Sequence, residues 1–296
     1  MEIKIRNLTK KFDDITAINN LNIDISEGVT GLMGENGAGK STLFRLISDV
    51  IYPNSGEILI DNEPARTKHA KESIFFLPDD PYCPKDAKIS GAYDFYSCFY
   101  NIDKEGFYSL VKEFDLPLDK RVATFSKGMK RRLFIALSLS VSCPILLLDE
   151  VFDGIDPLAL ESIKEKIVKL GSDGKTIVIA THNLACLDRL ANRFLLLYKG
   201  NLKADGNEDD LSSNLVKYQI AYPSSLDEAF FANLGFKVVS FRQIGSIYNV
   251  VVMENKEAYE KLKGKNPTLL EEVPLENDEV FASRMKLASM EGNDNE

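Results

Sequence analysis

The sequence predicts an α/β fold: a sheet of parallel strands covered by helices on both faces, with a smaller α+β appendage behind it. Two observations lead there. Between about residues 130 and 200, helical patterns alternate with short continuous apolar runs, Ile145–Leu148, Thr176–Ala180 and Phe194–Tyr198. Strands apolar on both faces belong to parallel sheets with helices above and below. Beyond residue 205 the rhythm changes to short strand-like runs around one amphipathic stretch, in a segment of different charge. At 296 residues the chain can bury a sizeable core, as one large domain or two smaller ones.

In chain order, residues 2–60 alternate the strand-like runs EIKIRNL, LNIDI, VTGLM and EILI with turn signals such as SEG (Ser26–Gly28) and PNSG (Pro53–Gly56). Lys130–Ser140 is helical in pattern, and Pro157–Leu170 is amphipathic. The polar, acidic stretch Ala204–Ser213 has no periodicity and reads as a linker, placed at 206–214, between a first domain at 1–205 and a second at 215–296. In the second, KYQIAY, SSLDEAFFANL, KVVSF and SIYNVVVM precede a helix near Glu279–Ala288, and the last six residues, EGNDNE, are expected to be disordered. There is no internal repeat and no low-complexity tract.

Composition narrows the function classes. With 44% hydrophobic and 27% charged residues the chain is of ordinary globular type. No apolar run approaches the roughly 18–20 residues that cross a bilayer. The start, MEIKIRNLTKKF, lacks the apolar core of a signal peptide, so a soluble, intracellular chain is expected. Cys83, Cys98, Cys143 and Cys186 are scattered without a CxxC pair and read as free thiols. Two histidines, His69 and His182, exclude a histidine-rich metal site. The net charge of −9 is uneven: from Asn201 onward ten basic residues face seventeen acidic ones, a net of −7. That balance argues against a general polyanion-binding surface, although FSKGMKRRL (Phe125–Leu133) concentrates Lys127, Lys130, Arg131 and Arg132 in one short stretch.

Three stretches carry chemistry. GENGAGKST (Gly34–Thr42) matches GxxxxGK[ST], with an apolar strand before it and a helix-forming run after it. Its glycines let backbone N–H groups converge on phosphate oxygens. Lys40 reaches the β- and γ-phosphates, Ser41 is a magnesium ligand, and the following helix points its positive end at the same anion. PILLLDE (Pro144–Glu150) is an apolar strand ending in two carboxylates, at the edge where open α/β sheets bind ligands. Asp149 there can hold Mg²⁺, and Glu150 can polarise an attacking water. TIVIATH (Thr176–His182) repeats the geometry; a histidine so placed is either structural or a γ-phosphate contact.

In this order the motifs resemble the ATP-binding subunit of ABC transporters, over about residues 2–205. GENGAGKST matches the Walker A motif, ILLLDE (Ile145–Glu150) Walker B, GID (Gly154–Asp156) the D-loop, and His182 the switch histidine. Phe12 stands where an aromatic ring stacks on adenine, and FSKGM (Phe125–Met129) stands where the signature LSGGQ is expected. The resemblance implies a P-loop NTPase core with a mixed sheet, an antiparallel β subdomain and a helical subdomain at about 80–140. It also implies ATP and Mg²⁺ as cofactors. Phe12, Gly34, Asn36, Gly37, Ala38, Gly39, Lys40, Ser41 and Thr42 would bind the nucleotide, Ser41 and Asp149 the metal, and Glu150 and His182 would act in hydrolysis. Ser126 and Gly128 would touch the ATP of a second copy or homologous subunit facing head to tail, with Asp156 at that interface.

Two positions depart from the pattern. The signature has Lys127 and Met129 in place of glycine and glutamine, and FLPDDP (Phe76–Pro81) has Asp79 where the family has the Q-loop glutamine. Asp79 is expected here as a further magnesium ligand. The aromatic stretch Ala92–Leu110 is expected to be helix core, with an exposed remainder suited to a groove for a membrane partner. The implied function is ATP hydrolysis that powers transport, export by the signature variant, through a separate permease at the cytoplasmic face of the membrane. The alternative is a soluble ATPase of the same fold acting on nucleic acid or ribosomes; the single Walker A and the acidic C-terminal third argue against it, and no nucleic-acid partner is expected. Lys40, Asp149, Glu150 and His182 together argue against a catalytically dead subunit.

Overall fold

Alternating isoleucines and leucines build the first sheet. β1 (Ile3–Phe12) and β2 (Ile15–Ile25) pair antiparallel around a turn with Asp13 at φ +48°. Ile3, Ile5 and Leu8 on β1 and Ile18, Leu21, Ile23 and Ile25 on β2 are buried. β3 (Gly28–Met33) departs into a second sheet, whereas β4 (Ser55–Ile60) and the short β5 (Glu63–Pro64) complete the antiparallel order β2-β1-β4-β5. The computed structural model describes residues 1–183, 186–222, 226–253 and 257–293.

The second sheet draws on β6 (Ile74–Leu77), β7 (Ile145–Asp149), β8 (Thr176–Thr181), β9 (Arg193–Tyr198) and β10 (Asn201–Gly206), in the order β10-β9-β3-β8-β7-β6. β9, β3, β8, β7 and β6 pair parallel, and every residue of β7 and β8 is buried. That is why their sequences read as unbroken apolar runs. The two-residue turn after β9 returns β10 as a hairpin, which makes the sheet mixed. Helix α1 (Lys40–Ile47) buries Leu43, Phe44, Leu46 and Ile47. The short α2 (Lys68–Glu72) precedes β6, and α3 (Ile89–Ser97), α4 (Lys104–Glu113) and α5 (Lys127–Ser140) form the helical subdomain; α6 (Pro157–Ser172) follows, with Asp156 as its N-cap. The aromatic stretch is core only in part: Phe107 is fully buried, whereas Tyr93, Phe95, Tyr96, Tyr100 and Tyr108 are half-buried, Tyr100 and Tyr96 packing on Phe75 and Phe134 at ring distances of 4.8 and 6.0 Å. Phe99 and Tyr82 are exposed. All four cysteines are free thiols.

The chain divides into two units, Met1–Lys203 and Ala204–Glu296. The segment read as a linker is instead structured. It ends β10 and then forms α7 (Glu208–Ser212), because Asn207 and Asp210 make a reciprocal capping box and the acidic first turn complements the helix dipole. The second unit continues through β11 (Leu215–Ala221), α8 (Glu228–Asn233), β12 (Val238–Ile244), β13 (Ile247–Met253), α9 (Ala258–Lys263), β14 (Leu269–Val273) and α10 (Asn277–Asn293). Its antiparallel order β12-β13-β11-β14 with a βαββαβ succession is the split βαβ, ferredoxin-like arrangement. Tyr218, Ile220, Phe231, Val250 and Val252 lie at its core. Lys217 pairs with Glu279 at 2.7 Å, and Arg284 donates to the carbonyl oxygens of Leu211 and Ser213, which fastens α10. Of the last six residues, expected to be disordered, the first three belong to α10, which runs through Asn293; residues 294–296 lie outside those described.

Candidate functional site

β3, β7 and β8 run parallel, so their C-terminal ends and the loops that follow converge on one edge of the sheet. β3 delivers the loop Gly34–Gly39, which enters α1 at Lys40. Gly39 sits at φ +109°, where a Cβ would lie 2.5 Å from the Ala17 carbonyl oxygen, so only glycine fits. Asn36 and Gly37 are exposed at the crest of the loop, and Ala38 is buried beneath it. α1 has no capping side chain and no acidic residue in its first turn. Its leading N–H groups are therefore available to an anion, which is the property a phosphate site requires.

Behind the loop sit the charged groups. Lys40 is 6% exposed; its Nζ donates to the Gly34 carbonyl oxygen at 2.5 Å and the Glu35 carbonyl oxygen at 3.3 Å, and lies 3.4 Å from Glu150 Oε1. Asp149, at the end of β7, is 2% exposed. Burial pushes its carboxyl above the usual carboxylate range, against the opposing hydrogen bond from Ser41 on the first turn of α1. Its Oδ1 is buried without a hydrogen-bond partner. A buried, unpartnered carboxylate oxygen beside a serine hydroxyl is a ligand set for a hard cation, so the residues fit Mg²⁺. Thr42 follows Ser41 on the same turn, half-buried.

Glu150 leaves the strand in the left-handed region, at φ +48°, with its N–H donating to the Ala180 carbonyl oxygen. A non-glycine residue held there stores backbone strain, and such strain gathers at functional sites. The turn aims the carboxylate at His182, whose Nδ1 lies 2.9 Å from Glu150 Oε2. Asp153 joins this pair, its carboxylate, Glu150 and the His182 ring lying within 4.8 Å of one another. Phe12, at the end of β1, is 43% exposed with the Lys10 ammonium 4.9 Å from its ring centroid, a face still open to a flat ligand.

Three of the four basic side chains in the stretch, Lys127, Arg131 and Arg132, sit in ion pairs. Ser126 caps α5, its hydroxyl accepting from the Met129 N–H at 3.2 Å, and Gly128 lies against the carbonyl oxygen of Gly154. Lys127 reaches Asp153 at 3.6 Å and Arg132 reaches Asp156 at 3.8 Å, while Arg131 is buried against Asp79. Asp79, expected as a magnesium ligand, therefore has its carboxylate engaged by a guanidinium. Lys40, Ser41, Asp149, Glu150 and His182 come together in one cluster, and Ser126, Gly128 and Asp156 gather on a second, built from α5 and the 153–156 loop and joined to the first through Asp153. Sequence reasoning did not single out Asp153 or the partners of the basic run. The available signal was the matched spacing of charges in VFDGID and KGMKRR.

Comparison with known proteins agrees with this geometry. A family model described as ABC transporter matches residues 18–153. The lantibiotic transport ATP-binding protein SrtF of Streptococcus pyogenes is 31% identical over 226 residues, covering 73% of this chain and 98% of that protein. The ABC transporter ATP-binding protein YtrB of Bacillus subtilis is 26% identical over 287 residues, covering 95% of this chain and 97% of YtrB. Among solved structures, an ATP-binding subunit of an ABC transporter superposes with a TM-score of 0.66 at 25% identity, covering 72% of this chain and 92% of that one. The cassette MJ0796, dimeric in a post-hydrolysis state bound to ADP and Pi, superposes with a TM-score of 0.60 at 25% identity, covering 69% and 98%. The chain belongs to the ATP-binding subunits of ABC transporters, and its activity is ATP hydrolysis.

Proposed function

We propose that the chain pairs head to tail with a second copy or a homologous ATPase subunit. In this reading it powers export through a separate membrane permease at the cytoplasmic face of the membrane. The observation that carries the proposal is the division of the machinery into two clusters: a capless helix start with Lys40, Asp149 and Glu150, and a second helix start with exposed Ser126 and half-buried Gly128. Two chains facing each other would bring the second cluster of one to the phosphate loop of the other. The dimeric MJ0796 cassette supports that pairing, and the names of the relatives SrtF and Nod factor export ATP-binding protein I support export. No helix among the described residues is long and apolar enough to cross a membrane, which fits a permease on another chain. A cleft of about 690 Å³ between the 79–85 loop and α5, lined by Tyr82 and Phe134 together with charged residues such as Asp80 and Lys130, is the place we assign to a helix of that partner.

The geometry supports the following roles. Lys40 moves from the Gly34 carbonyl and Glu150 to the β- and γ-phosphate oxygens. Phe12 takes the adenine face, and the N–H groups from Gly34 to Thr42 hold the phosphates. Ser41 and Asp149 would hold Mg²⁺, which when bound neutralises charge on the phosphate oxygens. Glu150, freed from Lys40, accepts the proton of the attacking water, and His182 Nδ1 fixes the carboxylate on that line. Purification of the tagged chain from membranes of its host tests the class. An integral membrane protein should co-purify; recovery of RNA without one would overturn the transport reading in favour of the nucleic-acid alternative.

A further inference from the structure

Arg131 is the buried member of the basic run, and both of its contacts go to one residue. Its Nη1 donates to the Asp79 carbonyl oxygen and its Nη2 to Asp79 Oδ1. A guanidinium fork that grips the backbone and the carboxylate of a single residue sets the orientation of that residue as well as its distance. The guanidinium is almost fully excluded from water, with its side chain 7% exposed, so it needs this counter-charge. Asp79 stands two residues beyond β6, and β6 pairs with β7 in the register Leu77–Leu148, so its loop leaves the sheet beside Asp149. Arg131 lies a little over one turn into α5, the helix that Ser126 caps. The same helix holds the loop after Glu150 through the more exposed pairs Lys127–Asp153 and Arg132–Asp156.

We propose that Asp79 is a positioning residue and not a magnesium ligand: with Arg131 it clamps the 78–81 loop to α5, so the loop beside Asp149 and the helix presenting Ser126 and Gly128 move as one body. A carboxylate already neutralised by a buried guanidinium has little to offer a second cation. The clamp explains why an acid can occupy this position, since a neutral amide would leave Arg131 without a counter-charge. Its effect on hydrolysis rests on the reading that Ser126 and Gly128 meet the partner's nucleotide.

The test compares the full-length wild-type chain with Asp79→Asn and Arg131→Lys. Backbone hydrogen exchange is read in the nucleotide-free protein, and magnesium dependence through binding of a fluorescent ATP analogue. Both variants should speed amide exchange in 77–82 and in 126–133 together, by about tenfold. The magnesium concentration for half-maximal binding should stay within about twofold of wild type. Asp79→Glu, which keeps the charge, should restore most of the protection. The proposal is overturned if Asp79→Asn shifts the magnesium dependence about tenfold while exchange in 126–133 is unchanged, because that is the signature of a metal ligand. It is equally overturned if neither readout moves. If Arg131→Lys fails to fold, Asp79→Asn and Asp79→Glu decide alone, since the Asp79 side chain is largely exposed. Coupled exchange with undiminished turnover supports the clamp and counts against the contact in trans, so the two failures are distinguishable.

Discussion

Replacing Glu150 by glutamine removes the carboxylate's proton-accepting capacity and leaves its shape. The side chain is 14% exposed, with His182 Nδ1 at 2.9 Å and Lys40 Nζ at 3.4 Å. Glutamine has the same Cβ, so the backbone strain at φ +48° is unchanged and drops out of the comparison. What changes is the base. General-base catalysis contributes about 10²–10⁴-fold, or roughly 2.7–5.4 kcal/mol of barrier at about 1.36 kcal/mol per tenfold. On the ground-state side Glu150→Gln gives up a largely buried ion pair with Lys40, but Lys40 retains the Gly34 carbonyl, so the stability loss should stay below the roughly 3–5 kcal/mol of an uncompensated buried charge. Lys40 also loses a competitor of the phosphates, so ATP affinity should hold or rise. The assay is phosphate release at saturating ATP, with size-exclusion chromatography of the same sample. Turnover should fall by about 10²–10⁴-fold while an ATP-bound dimer accumulates. Turnover within about twofold of wild type would refute Glu150 as the base, however the dimer behaves.

Asp149→Asn should reverse the usual cost of mutating a site. It replaces a buried carboxylate, one oxygen of which has no hydrogen-bond partner, by a neutral amide that can still accept from Ser41, so the nucleotide-free protein should melt at higher temperature, by about 1 kcal/mol of stability, while magnesium-dependent nucleotide binding is lost. Calorimetry in the absence of nucleotide checks the first half, and a lowered melting point would count against it. Gly128→Ala places a Cβ 2.4 Å from the Gly154 carbonyl oxygen, which must displace the 153–156 loop at a cost of about 1–3 kcal/mol. ATP binding to a single chain should survive and cooperative hydrolysis should not, as equilibrium binding and turnover measured together would reveal. In the second unit, burial works to raise the Glu279 carboxyl, but hydrogen bonds from Lys217 and the Glu276 N–H overcome it and hold the group below the usual range. A depressed carboxylate contributes stability above its unfolded pKa and loses it as pH falls through the folded value. Glu279→Gln should therefore cost about 1 kcal/mol near neutral pH, with the difference from wild type vanishing in acid, as melting curves across that range will show.

The legible features were local. Gly34–Thr42 declares itself because a phosphate loop needs glycine, lysine and serine at fixed short spacing, and its flanking strand and helix fall where the loop requires them. β7 and β8 declared themselves because strands buried on both faces carry continuous apolar runs, here Ile145–Leu148 and Ile177–Ala180, with polar residues only at their ends. Local reasoning failed where polarity was the only cue: Asn207–Ser212 resembled a linker by composition, yet reciprocal side-chain bonds at its start made it a helix. The strand order of the second unit was equally out of reach, since periodicity assigns a face to each strand and says nothing of its neighbour.

The sequence by itself thus determined the cradle, the strand-end carboxylates and the class of chemistry, since each needs only the residues within one turn or one strand. Tertiary structure alone decided which charges meet. In FSKGMKRRL the letters are indifferent among a nucleic-acid patch, a solvated face and a set of ion pairs. Folding sends Lys127 to Asp153, Arg132 to Asp156, and Arg131 to Asp79, 52 residues away. The reason is physical: hydrophobic spacing constrains what is buried along one element, whereas an ion pair depends on where two elements bring their side chains, and on how much water is left between them.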